Sequence, residues 1–286
     1  MGGGIIGLEL GCVYQNFGTE VTVVEALPQV LTGVDPDLAR IVSRRMTKAG
    51  TQIYTQAKAL SAKKTAKGVE VVFEVKGAQK KVTVDCVLVA VGFRPNSQGL
   101  GLEAAGVQVD ERGFISVDER LRSNVENVFA IGDVTGPPLL AHRASKQGEV
   151  AAEVIAGKPT AWDVTAIPSA IFTQPEIATV GLTETEAKEK GLDIKVGKFP
   201  FLANSRARAN ADTDGLVKIL ADAKTDRVLG VHILGGRASE MLAEAVLAME
   251  FCSSAEDIAL TMHAHPTLPE AMKEAALAVS NKAIHM

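Results

Sequence analysis

The residue order predicts an α/β chain that changes to α+β character after residue 159. Three observations predict it. A glycine-rich turn, Gly2-Gly3-Gly4-Ile5-Ile6-Gly7, opens a helical pattern ending near Phe17-Gly18. Short apolar runs at Val21–Val24 and Val87–Val91 read as buried parallel strands. After Gly157-Lys158-Pro159, strand patterns near Ile171 and at Ile194–Phe199, Leu216–Leu220 and Val228–Leu234 are followed by helical ones at Ala238–Phe251 and from Pro269 onward.

The elements between have their own signals. Asp35-Pro36 starts a helix with a capping side chain and Pro at the first position, and Gly50 stops it. Val69, Val71, Phe73 and Val75 alternate with mostly polar neighbours, and Val82-Thr83-Val84 follows Lys76-Gly77, which predicts an antiparallel hairpin. Arg94-Pro95-Asn96 begins a linker; Val128–Ile131 reads as a strand ending at Asp133, and a helix is predicted from about Leu139 to Ala156. The predicted organisation is therefore 1–94, 95–160 and 161–286.

Composition narrows the function classes. Lys and Arg number 30 against 34 Asp and Glu, and no basic run offers the phosphate-neutralising surface that nucleic acid needs. No apolar stretch approaches the ~20 residues that span a bilayer. Cys12, Cys86 and Cys252 lie far apart, with neither a metal-binding pattern nor a disulfide framework. A reducing, cytoplasmic compartment is expected.

Gly2-x-Gly4-x-x-Gly7 fits the dinucleotide fingerprint of a Rossmann unit. Its glycines permit the tight turn, the approach of backbone to a pyrophosphate, and close helix–strand packing. Glu25 stands 18 residues past Gly7 at a strand end, where an acid accepts from a ribose hydroxyl and repels a 2′-phosphate. NAD is thereby favoured over NADP. Only Met1 precedes the loop, so the unit lacks its first strand and the chain is expected to begin inside a domain.

Two further constellations admit two readings each. Asp133, just past a strand, can accept bonds from cofactor hydroxyls or can cap the following turn. His265 with Glu270 five residues on can be a general base with its orienting carboxylate, stiffened by Pro266. Thr267-x-x-Glu270 is equally a capping box, with Pro269 in the first turn. His142, His232, Arg206, Arg208 and Arg237 read as structural or peripheral, and Thr183-x-x-Glu186 as a plain helix start.

Taken together, the segments resemble the flavin-dependent pyridine nucleotide–disulfide oxidoreductases, most closely the dihydrolipoamide dehydrogenase branch. The matching pieces are GGGIIGLELG at 2–11, VTVVE at 21–25, VGFRPN at 91–96, VFAIGD at 128–133, LLAHRA at 139–144, FTQPEIATVG at 172–181, GVHILGGRASEML at 230–242 and HAHPTLPE at 263–270. They run collinearly over essentially the whole chain.

The resemblance implies that Gly2, Gly3, Gly4, Ile5, Gly7 and Glu25 hold NAD, with Ala59 and Gly92 lining the same site. It implies that Asp133 and the segment around Ala141 meet FAD, so that 95–160 returns to an FAD-binding domain and 161–286 forms a homodimer. His265 would be the acid/base for a dithiol, oriented by Glu270, and the partner a lipoyl domain of a 2-oxoacid dehydrogenase acyltransferase. The family's CxxxxC redox pair has no counterpart here, so this chain alone is expected to be inactive. Another NAD(P)H-disulfide reductase of the family, or a non-catalytic dimerising remnant, are the alternatives.

Overall fold

A computed structural model describes residues 1–286, which fall into two compact units, 1–92 with 168–286 and 93–167. In the first unit the glycine turn leads into α1 (Ile5–Asn16), followed by β1 (Thr22–Val24), α2 (Pro36–Lys48) and β2 (Gln52–Tyr54). β1 and β2 pair in parallel, Thr22 opposite Gln52 and Val24 opposite Tyr54. The α1–β1–α2 order is the one expected, whereas β2 was not read from the sequence. Met1 and Gly2 bridge two neighbours: Gly2 N–H donates to Val24 O at 2.9 Å, and Ala90 N–H to Met1 O at 2.8 Å.

Val87–Val91 corrects the sequence reading. Its only backbone partner is Met1, no strand forms, and Val89 and Val91 are 60% and 75% exposed. A β-branched run becomes a buried strand only with neighbours on both edges. The expected hairpin is in fact a three-stranded antiparallel meander, β3 (Ala57–Thr65), β4 (Gly68–Val75) and β5 (Ala78–Val84). Val71 and Phe73 alternate inward and pack with Ala57 and Val24.

Residues 168–286 build a five-stranded antiparallel sheet in the order β6-β7-β10-β9-β8. The strands are β6 (Ser169–Ile171), β7 (Glu176–Gly181), β8 (Ile194–Pro200), β9 (Leu216–Asp222) and β10 (Val228–Gly235). Below, α4 is Glu184–Glu189, α6 Ala238–Glu250 and α8 Glu270–Val279, with shorter α5 (Ser205–Ala209) and α7 (Ala255–Leu260). α6 packs on β7 and β10, and α8 on β8 and β9. One core joins the two halves of this unit: Leu8 and Cys12 of α1, Val30, Leu31 and Leu38 meet Ile171, Ile177 and Leu234 of the sheet.

A buried ionic cluster reinforces that core. Lys218 on β9 is 1% exposed and Asp35 fully buried. Its Nζ lies 2.8 Å from Asp35 Oδ2, 2.6 Å from Glu184 Oε2 and 3.2 Å from Asp37 Oδ2. Lys198 and Lys188 complete the charge balance on Asp37 and Glu184. Burial pushes the Lys218 ammonium down, but the three carboxylates outweigh it and hold the group above its ordinary value.

The second unit, 93–167, has one long helix, α3 (Ala141–Ile155), and no extended strand. The strand expected at Val128–Ile131 is only an isolated bridge between Arg122 and Phe129. Aspartate turns occupy the chain instead: Asp110 Oδ1 accepts from the N–H groups of Arg112 and Phe114, and Asp118 Oδ1 from those of Arg120 and Arg122. Those local bonds satisfy backbone that a ladder would otherwise use. No helix of the chain is long and apolar enough to cross a membrane.

Hydrogen bonds from Lys188 and then Lys218 lower the Glu184 carboxyl from an ordinary 4.5 to about 2. A depressed folded value means stability that is present above about 4.5 and is lost as pH falls through about 2. We expect Glu184→Gln to melt roughly 2–4 °C lower at neutral pH, as a loss of about 1 kcal/mol does in a domain of comparable size. Its melting temperature should then fall less than that of the parent between pH 4.5 and pH 2. Circular dichroism melts across that window check both, and parallel acid profiles would refute the assignment.

Candidate functional site

The glycine loop owes its shape to contacts no larger residue permits. A Cβ on Gly2, whose φ is +93°, would collide with the Ala90 carbonyl, and one on Gly7 with the Gly2 carbonyl. Gly4 is the N-cap of α1 and faces open space. No side chain caps this helix and its first turn carries no acid, so its leading N–H groups are unclaimed by protein side chains. Ile5, the first helical residue, is 37% exposed. An uncapped N-terminus with open space at the middle glycine fits a nucleotide pyrophosphate.

Glu25 closes the loop from behind. Its Oε2 accepts the Gly3 N–H at 2.6 Å and its Oε1 the Leu27 N–H at 2.7 Å. The Gly3 carbonyl in turn accepts the Leu31 N–H at 2.8 Å. The carboxylate is buried, and it puts a negative charge directly beside the glycine turn. Ala59 lies on β3 opposite Phe73, beside a bulge before Ser61, and is exposed. Gly92, at φ +119°, is also exposed with open space around it.

Asp133 and Ala141 belong to the second unit. Asp133 sits inside a short 3-10 turn, Gly132–Thr135, with its carboxylate exposed, and no side chain caps that turn. The capping alternative for Asp133 therefore fails. Gly132 N–H donates to the buried Gln147 Oε1 at 2.7 Å, tying the turn to α3. Arg143 donates to Gly136 O and to Thr135 Oγ1; burial lowers its pKa and attraction from Asp133 opposes that. Ala141 opens α3, whose N-terminus also lacks a side-chain cap. An exposed acceptor beside an uncapped helix start suits a ligand with hydroxyl and phosphate groups.

The structure separates the two histidines of the HAHPT segment. The His263 side chain is 7% exposed, held between Glu244 Oε1 at 2.8 Å and Thr261 O at 3.0 Å. The His265 side chain is 68% exposed, and its Nδ1 lies 2.9 Å from Glu270 Oε1. Glu270 Oε2 accepts the Thr267 N–H at 2.8 Å. The Thr267 hydroxyl donates to Ala264 O instead of receiving the Glu270 N–H, so only half of the capping box forms. Glu270 thus divides its oxygens between the His265 ring and the Thr267 N–H, while Pro269, not Thr267, stands at the N-cap of α8. Burial pushes its carboxyl up, while the Thr267 and His265 hydrogen bonds and the nearby His265 and His285 bring it below its usual value.

Thr183 and Glu186 form the full capping box of α4. His232 is buried, its Nε2 2.9 Å from Leu182 O and its Nδ1 without a partner. Sequence reasoning missed the anchoring residue Lys218, although a lone Lys inside the apolar Leu216–Leu220 run was the available signal. A cavity of about 350 Å³ lies among Cys12, Gln15, Asn16, Arg45, Lys48 and Gln174. Its cations stand in the last turn of α2, where they complement the helix dipole, and so do not mark an anion site.

With Oε1 of Glu270 as acceptor, the neutral form of the His265 ring favours the Nδ1–H tautomer, with Nε2 bare. We expect long-range ¹H–¹⁵N spectra to show that tautomer, and Glu270→Ala to yield a mixture of tautomers. An unchanged His265 ring spectrum in the variant would show that Glu270 does not orient it.

Two family models match the chain: the pyridine nucleotide-disulphide oxidoreductase over residues 1–148, and that family's dimerisation domain over residues 167–276. The dihydrolipoyl dehydrogenase of Thermus scotoductus is 48% identical over the whole chain, which covers 62% of that protein. The one from Geobacillus stearothermophilus is 47% identical, with 61% of it covered. The chain thus spans about three fifths of the curated relatives it matches. Among solved structures, the HOCl-induced flavoprotein disulfide reductase RclA from Escherichia coli superposes with a TM-score of 0.87 at 30% identity, over 98% of this chain and 63% of that one. LpdA from Mycobacterium tuberculosis gives 0.88 at 29%, over 96% and 60%. These relatives are oxidoreductases, and the cofactors of their family are FAD and NAD. With its fingerprint loop, its α+β sheet and both family models in register, the chain belongs to the pyridine nucleotide-disulphide oxidoreductases.

Proposed function

We propose that this chain provides the NAD-binding and dimer-forming parts of a flavoprotein that oxidises dihydrolipoamide. In this reading residues 1–94 bind NAD, 95–160 contribute to an FAD site through Asp133 and Ala141, and 161–286 form a homodimer. The glycine loop carries the reading. Gly3 is fixed through both its main-chain groups, while the α1 N-terminus stays uncapped and open at Gly4. Gly2, Gly3, Gly4, Ile5 and Gly7 would face the pyrophosphate, with Ala59 and Gly92 flanking. The Glu25 charge disfavours a 2′-phosphate, which supports NAD over NADP.

His265 supplies the proton chemistry. Its exposed Nε2 takes the proton of one thiol of a dihydrolipoamide, and the resulting thiolate is the nucleophile for exchange with a disulfide. The Nδ1–H stays on Glu270 Oε1, so the imidazolium forms beside a carboxylate and is stabilised there. Bound FAD supplies the two-electron path from the dithiol to NAD. The lipoyl domain of a 2-oxoacid dehydrogenase acyltransferase is the partner that would deliver the dithiol, in a cytoplasmic setting. Cys12, Cys86 and Cys252 are free thiols, and none stands in a CxxxxC pair. The isolated chain is therefore inactive in lipoamide-dependent NAD reduction.

The test combines ligand titration with turnover. The 286-residue chain, purified with FAD and desalted, should bind NADH at least about tenfold more tightly than NADPH, a difference of about 1.4 kcal/mol. Glu25→Ala should erase most of that preference. Equal binding of both nucleotides would overturn the assignment of Glu25. Robust lipoamide-dependent NAD reduction by the chain would overturn its inactivity, and dimers that bind neither nucleotide nor flavin would make it a non-catalytic dimerising piece.

A further inference from the structure

The segment from Glu25 to Asp35 is the back wall of the glycine loop, and it is fastened at three places. At its start Glu25 takes the Gly3 N–H. In its middle Leu31, fully buried at a φ of +53°, donates to the Gly3 carbonyl. At its end Asp35 Oδ1 caps α2 by accepting the Asp37 N–H at 3.1 Å, while Oδ2 receives Lys218 Nζ at 2.8 Å. The Glu184 N–H points to the same Oδ2 at 3.4 Å.

Only residues 32–34 separate the Leu31 fastening from Asp35. Val34 N–H donates back to Leu31 O at 3.0 Å, and the Gln29 side chain donates to Val34 O at 3.2 Å. The span is thus short and internally bonded, so a displacement at Asp35 passes to Leu31. Lys218 itself stands on β9, inside the sheet of residues 168–286, paired with His232 of β10. A buried ammonium that contacts three carboxylates has one low-energy place, because losing a contact leaves charge unpaired in a water-poor interior.

We propose that Lys218 is a positioning residue for the nucleotide loop: through Asp35 and the 25–35 segment, the sheet holds Gly3 in the conformation that presents the α1 N-terminus. The inference rests on the NAD reading given above for its functional consequence, but not for its structural content. It makes the sheet of 168–286 a participant in shaping the nucleotide site, through a charge added to the apolar contacts of the shared core. Loss of the anchor loosens Leu31, which frees the Gly3 carbonyl and then the Gly3–Glu25 bond.

Asp35→Asn separates the anchor from the cap. Asn is as good a helix cap as Asp, but it offers Lys218 no charge. Lys218 keeps Asp37 and Glu184 as partners, so the variant removes the charge link to the 25–35 segment and leaves the others in place. Lys218→Met is the second variant. In both, amide hydrogen exchange at Gly3 and Leu31 should speed up by about tenfold or more, while Ile219 and Val231 in the sheet stay at the parent rate. The NADH dissociation constant should rise by about the same factor, following the lost population of the competent loop. Parent-like exchange at Gly3 and Leu31 in a folded Asp35→Asn protein would overturn the proposal, as would acceleration spread evenly over the sheet. If the parent chain binds no NADH, the nucleotide reading fails, and the exchange rates still decide whether Lys218 holds the loop.

Discussion

An ammonium with 1% of its surface exposed is costly to bury, and the placement of Lys218 constrains much of the chain around it. Desolvating such a charge costs several kcal/mol unless partners surround it. Here those partners come from two places in the sequence. Asp35 and Asp37 begin α2, and Glu184 begins α4. Lys188 and Lys198 then neutralise the carboxylates that Lys218 alone leaves in excess. The cluster therefore fixes the N-termini of two helices against one strand. The apolar core around Leu8, Leu31 and Leu38 supplies attraction without direction. The charges supply the direction, since Asp35 and Asp37 at the start of α2 both reach Lys218 of β9.

The same economy of side chains recurs at α8. Glu270 uses one oxygen to satisfy the Thr267 N–H ahead of the helix and the other to orient His265. One turn further on, Glu274 accepts the Ile284 and His285 N–H groups and the His285 ring, drawing the C-terminal segment back onto the helix. A backbone contact and a ring contact are therefore not rivals at Glu270: a carboxylate with two oxygens makes both.

What the sequence made legible follows from how locally each feature is determined. The helices announced by Asp35-Pro36 and Thr183-x-x-Glu186 form where their caps place them, because a cap is a contact within three residues. The glycine fingerprint is local for the same reason. Strands were less legible, since a strand exists only through its neighbours. Val87–Val91 is apolar enough to be one, but its backbone pairs only with Met1. β3 carries lysines and almost no buried side chain, yet it is a strand of nine residues because β4 pairs with it throughout. β7, at the centre of its sheet's contacts to β6 and β10, follows the turn-forming Gln174-Pro175 and went unread.

At the candidate site the division is similar. Glu25 stood out by its spacing from the glycines, whereas for His265 and Glu270 spacing left two readings open and the family resemblance chose between them. The Leu31–Gly3 bond was not legible, for Leu31 looks like any core leucine in the sequence. Its left-handed backbone is tolerated in a non-glycine residue only where surroundings over-determine it. Those surroundings are the Gly3 carbonyl on one side and the Val30, Val34 and Leu38 packing on the other. A glycine loop bonded this way leans on residues well outside its own short sequence. Its conformation rests on the Glu25 carboxylate and the Leu31 N–H, both supplied by the packed segment behind it.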